Sequence, residues 1–108
     1  MVMLVAMELP FDPEIDYRVI LETMTESVLI TSTELDSPGP LIVYVNPAFE
    51  KMTGWTYDEV IGQNPRLLQG EKTDHGIFGD MREKLQQGEI WRGRTLNYKK
   101  DGTEFYMQ

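Results

Sequence analysis

Cysteine and histidine, the residue types most used as nucleophiles, general bases and zinc ligands, are almost absent from this sequence. It has no cysteine, which excludes thiol nucleophiles, disulfides and thiolate metal sites. Its single histidine, His75, has no recognisable serine partner, and the sequence has neither a glycine-rich phosphate loop nor a cluster of metal ligands. The sequence therefore predicts a chain that is not an enzyme and that works by binding.

A first group of polar side chains that could hold a ligand is Asn64, Arg66 and Gln69, which lie close together in the chain. Asn64 precedes Pro65, so its side chain could cap a short helix as well as contact a ligand. Arg66 could grip a phosphate group of a ligand or pair with an acidic neighbour at the surface. These alternatives stay open at this point.

A second group lies in a strand predicted near the end of the chain. Strand alternation places Thr95 and Asn97 on the same face of this strand. Asn97 could hydrogen-bond to a ligand, or to backbone and water. We expect a small cavity between this face and the helices around Met52, Leu68 and Phe78, mostly apolar with a few polar groups.

Charge and composition restrict the partners. The 108 residues include 18 acidic and 10 basic side chains, giving a formal net charge of −8, and 41% of the residues are apolar. This composition is typical of one small globular domain. The negative charge repels phosphate backbones, so nucleic acid is not an expected partner. The apolar run 1–7 is far shorter than the roughly 20 residues of a membrane helix, so we expect a cytoplasmic protein without direct membrane insertion.

The elements that must position these side chains follow an α+β order, with strands at both ends and helices between them. Apolar spacing, caps and turn residues set their limits. The predicted elements are, in order, a helix near 15–24, strands 27–31 and 41–45, short helices capped by Asn46, Thr56 and Asn64, a longer helix capped by Thr73, and strands 90–99 and 103–108 joined by the turn 100–102.

Three local motifs and this order resemble the PAS domain, and most closely its light–oxygen–voltage branch. The motifs are YVNPAF at 44–49, GQNPRLLQG at 62–70 and LNYKKDGT at 96–103, and the likeness covers roughly residues 14–108. The second motif resembles the Gly-x-Asn-Cys-Arg-Phe-Leu-Gln-Gly signature of that branch. The resemblance implies an antiparallel sheet, five-stranded in the full family and about four-stranded here, with short helices on one face.

The resemblance also assigns roles to the polar residues. Asn97 matches an asparagine that hydrogen-bonds the flavin ring in the family, Arg66 a phosphate-contacting arginine, and Gln69 another pocket residue. Pro65 stands where the branch has its photoreactive cysteine, so a flavin–cysteinyl adduct cannot form. The family's second ring-binding asparagine falls on Met107, which cannot replace an amide.

The function that the resemblance implies is a sensory and regulatory module of a bacterial-type signalling protein. The parent protein would be a two-component histidine kinase or a cyclic-dinucleotide enzyme, and its output domain would be a partner. The module would bind a small ligand, or dimerise and relay a signal. The alternatives are a flavin-binding photoreceptor or redox sensor without an adduct, and a ligand-free dimerisation module. Haem is not expected from a lone His75.

The start of the chain has its own expected role. Residues 1–13 are predicted to be an apolar extension, and residues 14–108 a PAS-like domain that lacks its last strand. In the family that strand lies between the first and the fourth, so its loss leaves unpaired edges. The run 2–6 could fill this gap from its own chain or from a neighbour, and we expect a homodimer. The first helix, through Ile15, Val19 and Ile20, is expected to cover the outer sheet face or to form a dimer seam.

Overall fold

Short strands and helices make up the part of the chain that the computed structural model describes, which is residues 1–5, 17–32, 40–74, 76, 82–84, 87 and 94–107. Their order agrees with the predicted α+β class. The elements are β1 (Val2–Val5), α1 (Tyr17–Thr23), β2 (Val28–Thr31), β3 (Ile42–Val45), α2 (Pro47–Thr53), α3 (Tyr57–Val60), a 3-10 helix (Pro65–Leu68), β4 (Thr95–Tyr98) and β5 (Glu104–Met107).

The described strands form a three-stranded sheet in the order β1-β2-β3 and a two-stranded sheet of β4 and β5. Both predicted hairpins are confirmed. β2 pairs antiparallel with β3, with Leu29 opposite Val45 and a register shift after Ile30. β4 pairs antiparallel with β5, and Gly102 in the connecting turn has φ 89°, which favours glycine.

The apolar N-terminal run is part of the sheet. β1 lies parallel to β2, with Val2 opposite Val28, along the edge of β2 that β3 leaves free. Met1 is buried in the core and Met3 packs against it. Val2–Val5 of the same chain therefore pair with the strand that matches the first strand of the family. Among the described strands β1 does not pair with β5, so only this half of the gap-filling prediction is confirmed.

One hydrophobic core joins the two sheets and the helices. Phe49 on α2 and Leu29 on β2 have no exposed surface. Burying a side chain of this size stabilises the fold by about 1.5–3 kcal/mol. Burial of apolar side chains in this core is therefore the main source of the stability that holds the elements together. Its members are Met1, Leu29, Ile42, Val45, Phe49, Val60, Leu68, Phe105 and Met107.

Asn46 is the junction between α1, β2 and α2. Its Oδ1 accepts hydrogen bonds from the backbone N–H of Val28, at 2.9 Å, and of Phe49, at 3.0 Å. Its Nδ2 donates to the carbonyls of Leu21, at 3.0 Å, and Glu26, at 2.8 Å. The predicted cap is confirmed, and the same buried amide also fixes the start of β2 and the end of α1.

The short helices begin and end where their sequence signals lie. Thr56 and Glu59 form a capping box at the start of α3, and Gly54 ends α2 with φ 80°. The Lys100 ammonium pairs with Glu59, and the Lys100 backbone N–H donates to the Thr53 carbonyl at 2.8 Å. These contacts tie the β4–β5 turn to the helices.

One alternative for the first helix is wrong. Val19 and Ile20 do not cover the sheet, because they are 54% and 50% exposed, and the dimer seam stays a prediction. The Thr73 hydroxyl donates to the Leu96 carbonyl at 2.7 Å and accepts from the backbone N–H of Gly70 at 3.0 Å. Most of the longer helix that Thr73 was predicted to cap lies outside the described residues. Predictions about Ile15, Phe78, His75 and residues 90–93 lie outside the described residues.

Candidate functional site

The inner face of β4 carries the central polar pair of the site. Thr95 and Asn97 are each 2% exposed, whereas Leu96 and Tyr98 between and after them are half-buried. Thr95 lies opposite Met107 of β5, and Asn97 lies opposite Phe105. Strand alternation therefore predicted the inward face correctly.

This polar pair is buried with unmet hydrogen-bonding capacity. Among the described residues, the Asn97 amide Nδ2 donates only to the Met107 sulfur, at 3.7 Å. Within the described residues, Asn97 Oδ1 and Thr95 Oγ1 are buried and have no hydrogen-bond partner. Leaving one such group unpaired costs about 1–3 kcal/mol. The face therefore carries two polar atoms, one of them an obligate acceptor, whose burial calls for a partner.

Asn64, Arg66 and Gln69 lie in or next to the 3-10 helix. Asn64 Oδ1 accepts from the backbone N–H of Arg66 at 2.9 Å, so the helix-cap interpretation is confirmed. Pro65 is the first residue of that helix, Arg66 is exposed on it, and Gln69 is half-buried at its end. Among the described residues, no hydrogen bond joins this group to Thr95 or Asn97. The Arg66 guanidinium is exposed, whereas the Thr95 and Asn97 side chains are buried.

The loop after the 3-10 helix is clamped onto β4. A side chain at Gly70 would overlap the Tyr98 ring, so only glycine allows this approach. The Tyr98 hydroxyl accepts from the backbone N–H of Lys72 at 3.0 Å. Together with the Thr73–Leu96 bond, these contacts hold the loop at residues 70–73 against β4. Tyr98 has the strand parity opposite to Asn97, so the loop is anchored through the other face of the strand.

The sequence reasoning missed further buried hydroxyls on β2 and before it. Thr31 and Ser27 are 0% and 5% exposed, and their hydroxyl oxygens have no partner among the described residues. Both share the inward parity of Leu29, which packs in the core. A hydroxyl residue at an inward position of an apolar strand was the signal that could have revealed them.

Two findings limit the chemistry of the described residues. They hold no group of three or more His, Asp or Glu side chains that could bind a metal ion. Within the same part of the chain, no helix has the length and apolarity needed to cross a membrane.

Comparison with protein families matches the chain to the PAS domain over residues 16–108. Among curated relatives, Phototropin-1A of Oryza sativa subsp. japonica is 37% identical over 91 residues, covering 84% of this chain and 10% of the relative. The Nitrogen fixation regulatory protein of Klebsiella oxytoca is 36% identical, covering 74% of this chain and 16% of the relative. Blue-light-activated histidine kinase 2 of Erythrobacter litoralis is 36% identical, covering 71% and 22%.

Solved structures of light–oxygen–voltage (LOV) domains are similar as well. The LOV domain from the Erythrobacter litoralis EL346 blue-light activated histidine kinase has a TM-score of 0.58 and 40% identity over 62% of each chain. The light-state structure of the blue-light photoreceptor Aureochrome1 LOV has a TM-score of 0.64 and 29% identity over 82% of this chain and 67% of that one. The predicted likeness to the light–oxygen–voltage branch is confirmed.

Proposed function

This chain belongs to the PAS domain family, and on that premise we propose that it is the ligand-binding sensory module of a larger signal-transduction protein. The chain spans only 10–22% of three curated relatives, among them a histidine kinase and a nitrogen fixation regulatory protein. The module itself is proposed to bind and to relay, with catalysis left to an output domain. Its cytoplasmic location stays a prediction.

The buried pair Thr95–Asn97 supports ligand binding more than any other observation. Asn97 Oδ1 is an obligate acceptor without a partner among the described residues, and Thr95 Oγ1 lies on the same face. A small ligand with an N–H or O–H donor would satisfy Asn97, and the Thr95 hydroxyl can accept or donate as the ligand requires. Because β4 pairs along its length with β5, a ligand at this face would act directly on the two-stranded sheet.

Flavin is the second candidate, and the residues present fit it only in part. Asn97 could accept from the imide N–H of the flavin ring. Met107 offers a thioether where the family has a second amide, and its sulfur already takes the Asn97 N–H. Arg66 is exposed. Pro65 has no thiol, and the chain has no cysteine, so a bound flavin would form no cysteinyl adduct.

Native mass spectrometry and the absorption spectrum of the purified protein test this proposal together. The expected result is a stoichiometric non-covalent complex of the wild type with a small molecule, and the loss of this complex in Asn97→Leu. A blue absorption band that bleaches to a near-ultraviolet adduct under illumination would contradict the Pro65 argument. Wild-type protein that stays ligand-free after incubation with flavin and a cell metabolite extract would contradict the binding proposal and favour a ligand-free module.

We also propose that the module dimerises, because α1 carries apolar side chains that the described residues do not cover. Val19, Ile20 and Met24 are 54%, 50% and 38% exposed. Dimerisation through this face would bury them and would couple the sensory module to its copy. Sedimentation of the wild type and of Ile20→Glu tests this, with a dimer expected only for the wild type. A wild type that is monomeric at high micromolar concentration contradicts it.

The absence of cysteine allows a clean test of strand exchange within that dimer. Leu4 and Ile30 lie opposite each other on β1 and β2. A Leu4→Cys/Ile30→Cys variant treated with a short bifunctional thiol-reactive crosslinker would yield a covalent dimer if β1 is exchanged between copies. It would yield an internally linked monomer if β1 stays on its own chain, and the single Leu4→Cys variant controls for random crosslinking.

A further inference from the structure

A surface cleft between α1, β3 and the helices that follow shares no lining residue with the Thr95–Asn97 face. It has a volume of about 340 Å³ and lies between α1, β3 and the starts of α2 and α3. Ligand pockets begin at about this size. Tyr44 belongs to the outer face of the sheet, because its neighbour Val45 faces the core. The cleft is lined by Arg18, Glu22, Tyr44, Val45, Pro47, Glu50 and Tyr57.

Two tyrosine rings meet at an angle in this cleft. The centroids of Tyr44 and Tyr57 are 6.4 Å apart, and the planes of their rings cross at 71°. Rings that are nearly perpendicular line two sides of a corner, and a cation in that corner lies near both π systems. A cation within about 6 Å of a tyrosine ring is attracted by its quadrupole.

Two carboxylates complete the walls. Glu22 comes from α1 and Glu50 from α2. Glu50 Oε2 accepts from the backbone N–H of Tyr57 at 2.8 Å, which fixes this carboxylate beside the second ring. Arg18 contributes one positive charge, so the acidic groups of the lining exceed the basic ones by one.

The electrostatics around Tyr44 agree with a negative cleft. Burial raises the pKa of the Tyr44 hydroxyl, the Glu22 carboxylate raises this pKa further, and Arg18 opposes them. The hydroxyl is therefore neutral at physiological pH. Its ring stays an uncharged, electron-rich wall beside a carboxylate, which is the combination that attracts an organic cation.

We propose that this cleft binds a small organic cation of the quaternary alkylammonium class. The alkyl groups would pack against the Tyr44 and Tyr57 rings, and Glu22 and Glu50 would balance the charge. The site is independent of the proposed function of Asn97, because none of its lining residues comes from β4 or β5.

Titration with choline, followed by NMR chemical shifts of the tyrosine rings, tests this proposal. The neutral isostere 3,3-dimethylbutan-1-ol has the same shape without the charge, and we expect it to bind about tenfold or more weakly. Glu22→Gln and Tyr57→Leu should each weaken choline binding by about three- to tenfold. Glu71→Gln, which removes an exposed carboxylate elsewhere, is the matched control and should bind choline as the wild type does.

The outcomes separate this cleft from the sensory site. Asn97→Leu should leave choline binding unchanged, whatever it does to the ligand at β4. No saturable shift at millimolar choline would overturn the proposal, as would equal affinities for choline and its neutral isostere. A loss in Glu71→Gln equal to that in Glu22→Gln would also overturn it, because it would reveal a general charge effect.

Discussion

Asn46 and Asn97 are both buried asparagines, at 0% and 2% exposure, yet their surroundings differ in kind. The Asn46 amide makes four hydrogen bonds to backbone groups of three segments. The Asn97 amide makes one weak bond to a sulfur and leaves its oxygen unpaired among the described residues. A buried polar group that is fully satisfied stabilises a fold, whereas one that is unsatisfied calls for another explanation, and the binding role proposed for Asn97 supplies one.

Replacing Asn46 should have the largest effect. In Asn46→Leu the N–H groups of Val28 and Phe49 and the carbonyls of Leu21 and Glu26 lose their partner, so we expect the free energy of unfolding to fall by about 3–5 kcal/mol. Urea unfolding measures this. Asn46→Asp keeps both accepted hydrogen bonds and loses both donated ones. Its free energy of unfolding should therefore lie between those of the wild type and Asn46→Leu. If Asn46→Leu lost less than about 1 kcal/mol of unfolding free energy, the contrast drawn between Asn46 and Asn97 would be contradicted.

Both β1 and Asn46 hold β2 in place. Removing residues 1–5 tests how much of the stability depends on the pairing of β2 with β1. The deletion takes Met1 and Met3 from the core and uncovers one edge of β2. We expect a loss of about 2–4 kcal/mol in unfolding free energy. Thermal unfolding checks this against Met3→Ala, which should show a smaller loss. A deletion variant as stable as the wild type would show that β1 does not contribute to the core.

Thr95→Val tests the Thr95 hydroxyl, which is the second polar group on the Thr95–Asn97 face without a partner among the described residues. Valine has the shape of threonine without the hydroxyl, so the ligand-free variant should be more stable by about 1 kcal/mol, and its affinity for the ligand should fall. The matched control is Thr53→Val. The Thr53 hydroxyl donates to the Phe49 carbonyl at 2.9 Å, so this change should destabilise the protein. Equal destabilisation by both changes in thermal unfolding would contradict the account.

The exposed Glu59–Lys100 pair should give the smallest effect. The side-chain hydrogen bond from Lys100 lowers the pKa of Glu59 from 4.5 to about 2. Stability from this pair is therefore present above the unfolded-state pKa and is lost as the pH falls through the folded value. The melting temperatures of the wild type and Lys100→Met should converge between pH 4.5 and about 2. A difference that is constant over this range would exclude the linkage.

Local signals predicted much of the fold. The caps Asn46 and Thr56 and the turn at 100–102 depend on nearest neighbours in the chain, and all three are confirmed. The inward face of β4 followed from alternation alone. Such features need no knowledge of the tertiary structure, because their hydrogen bonds close within a few residues.

Long-range contacts explain what the sequence did not predict. Thr73 has the residue type of a helix cap, yet its hydroxyl reaches Leu96 across the sheet edge. Asn46 was predicted as a cap, but its bonds to Leu21 and Glu26 depend on where α1 comes to rest. At the site, the alternation placed Asn97 inward. Only the structure shows that Met107 takes the Asn97 N–H and that the Asn97 oxygen has no partner in the described part of the chain.

The most direct test of the central claim is the stability of ligand-free Asn97→Leu measured by urea unfolding beside the wild type. If the Asn97 oxygen is held unsatisfied for a ligand, leucine should leave the unfolding free energy unchanged or raise it by about 1–2 kcal/mol, and ligand binding should be lost. A loss of stability as large as that of Asn46→Leu, with ligand binding retained, would contradict the account and make Asn97 a structural residue.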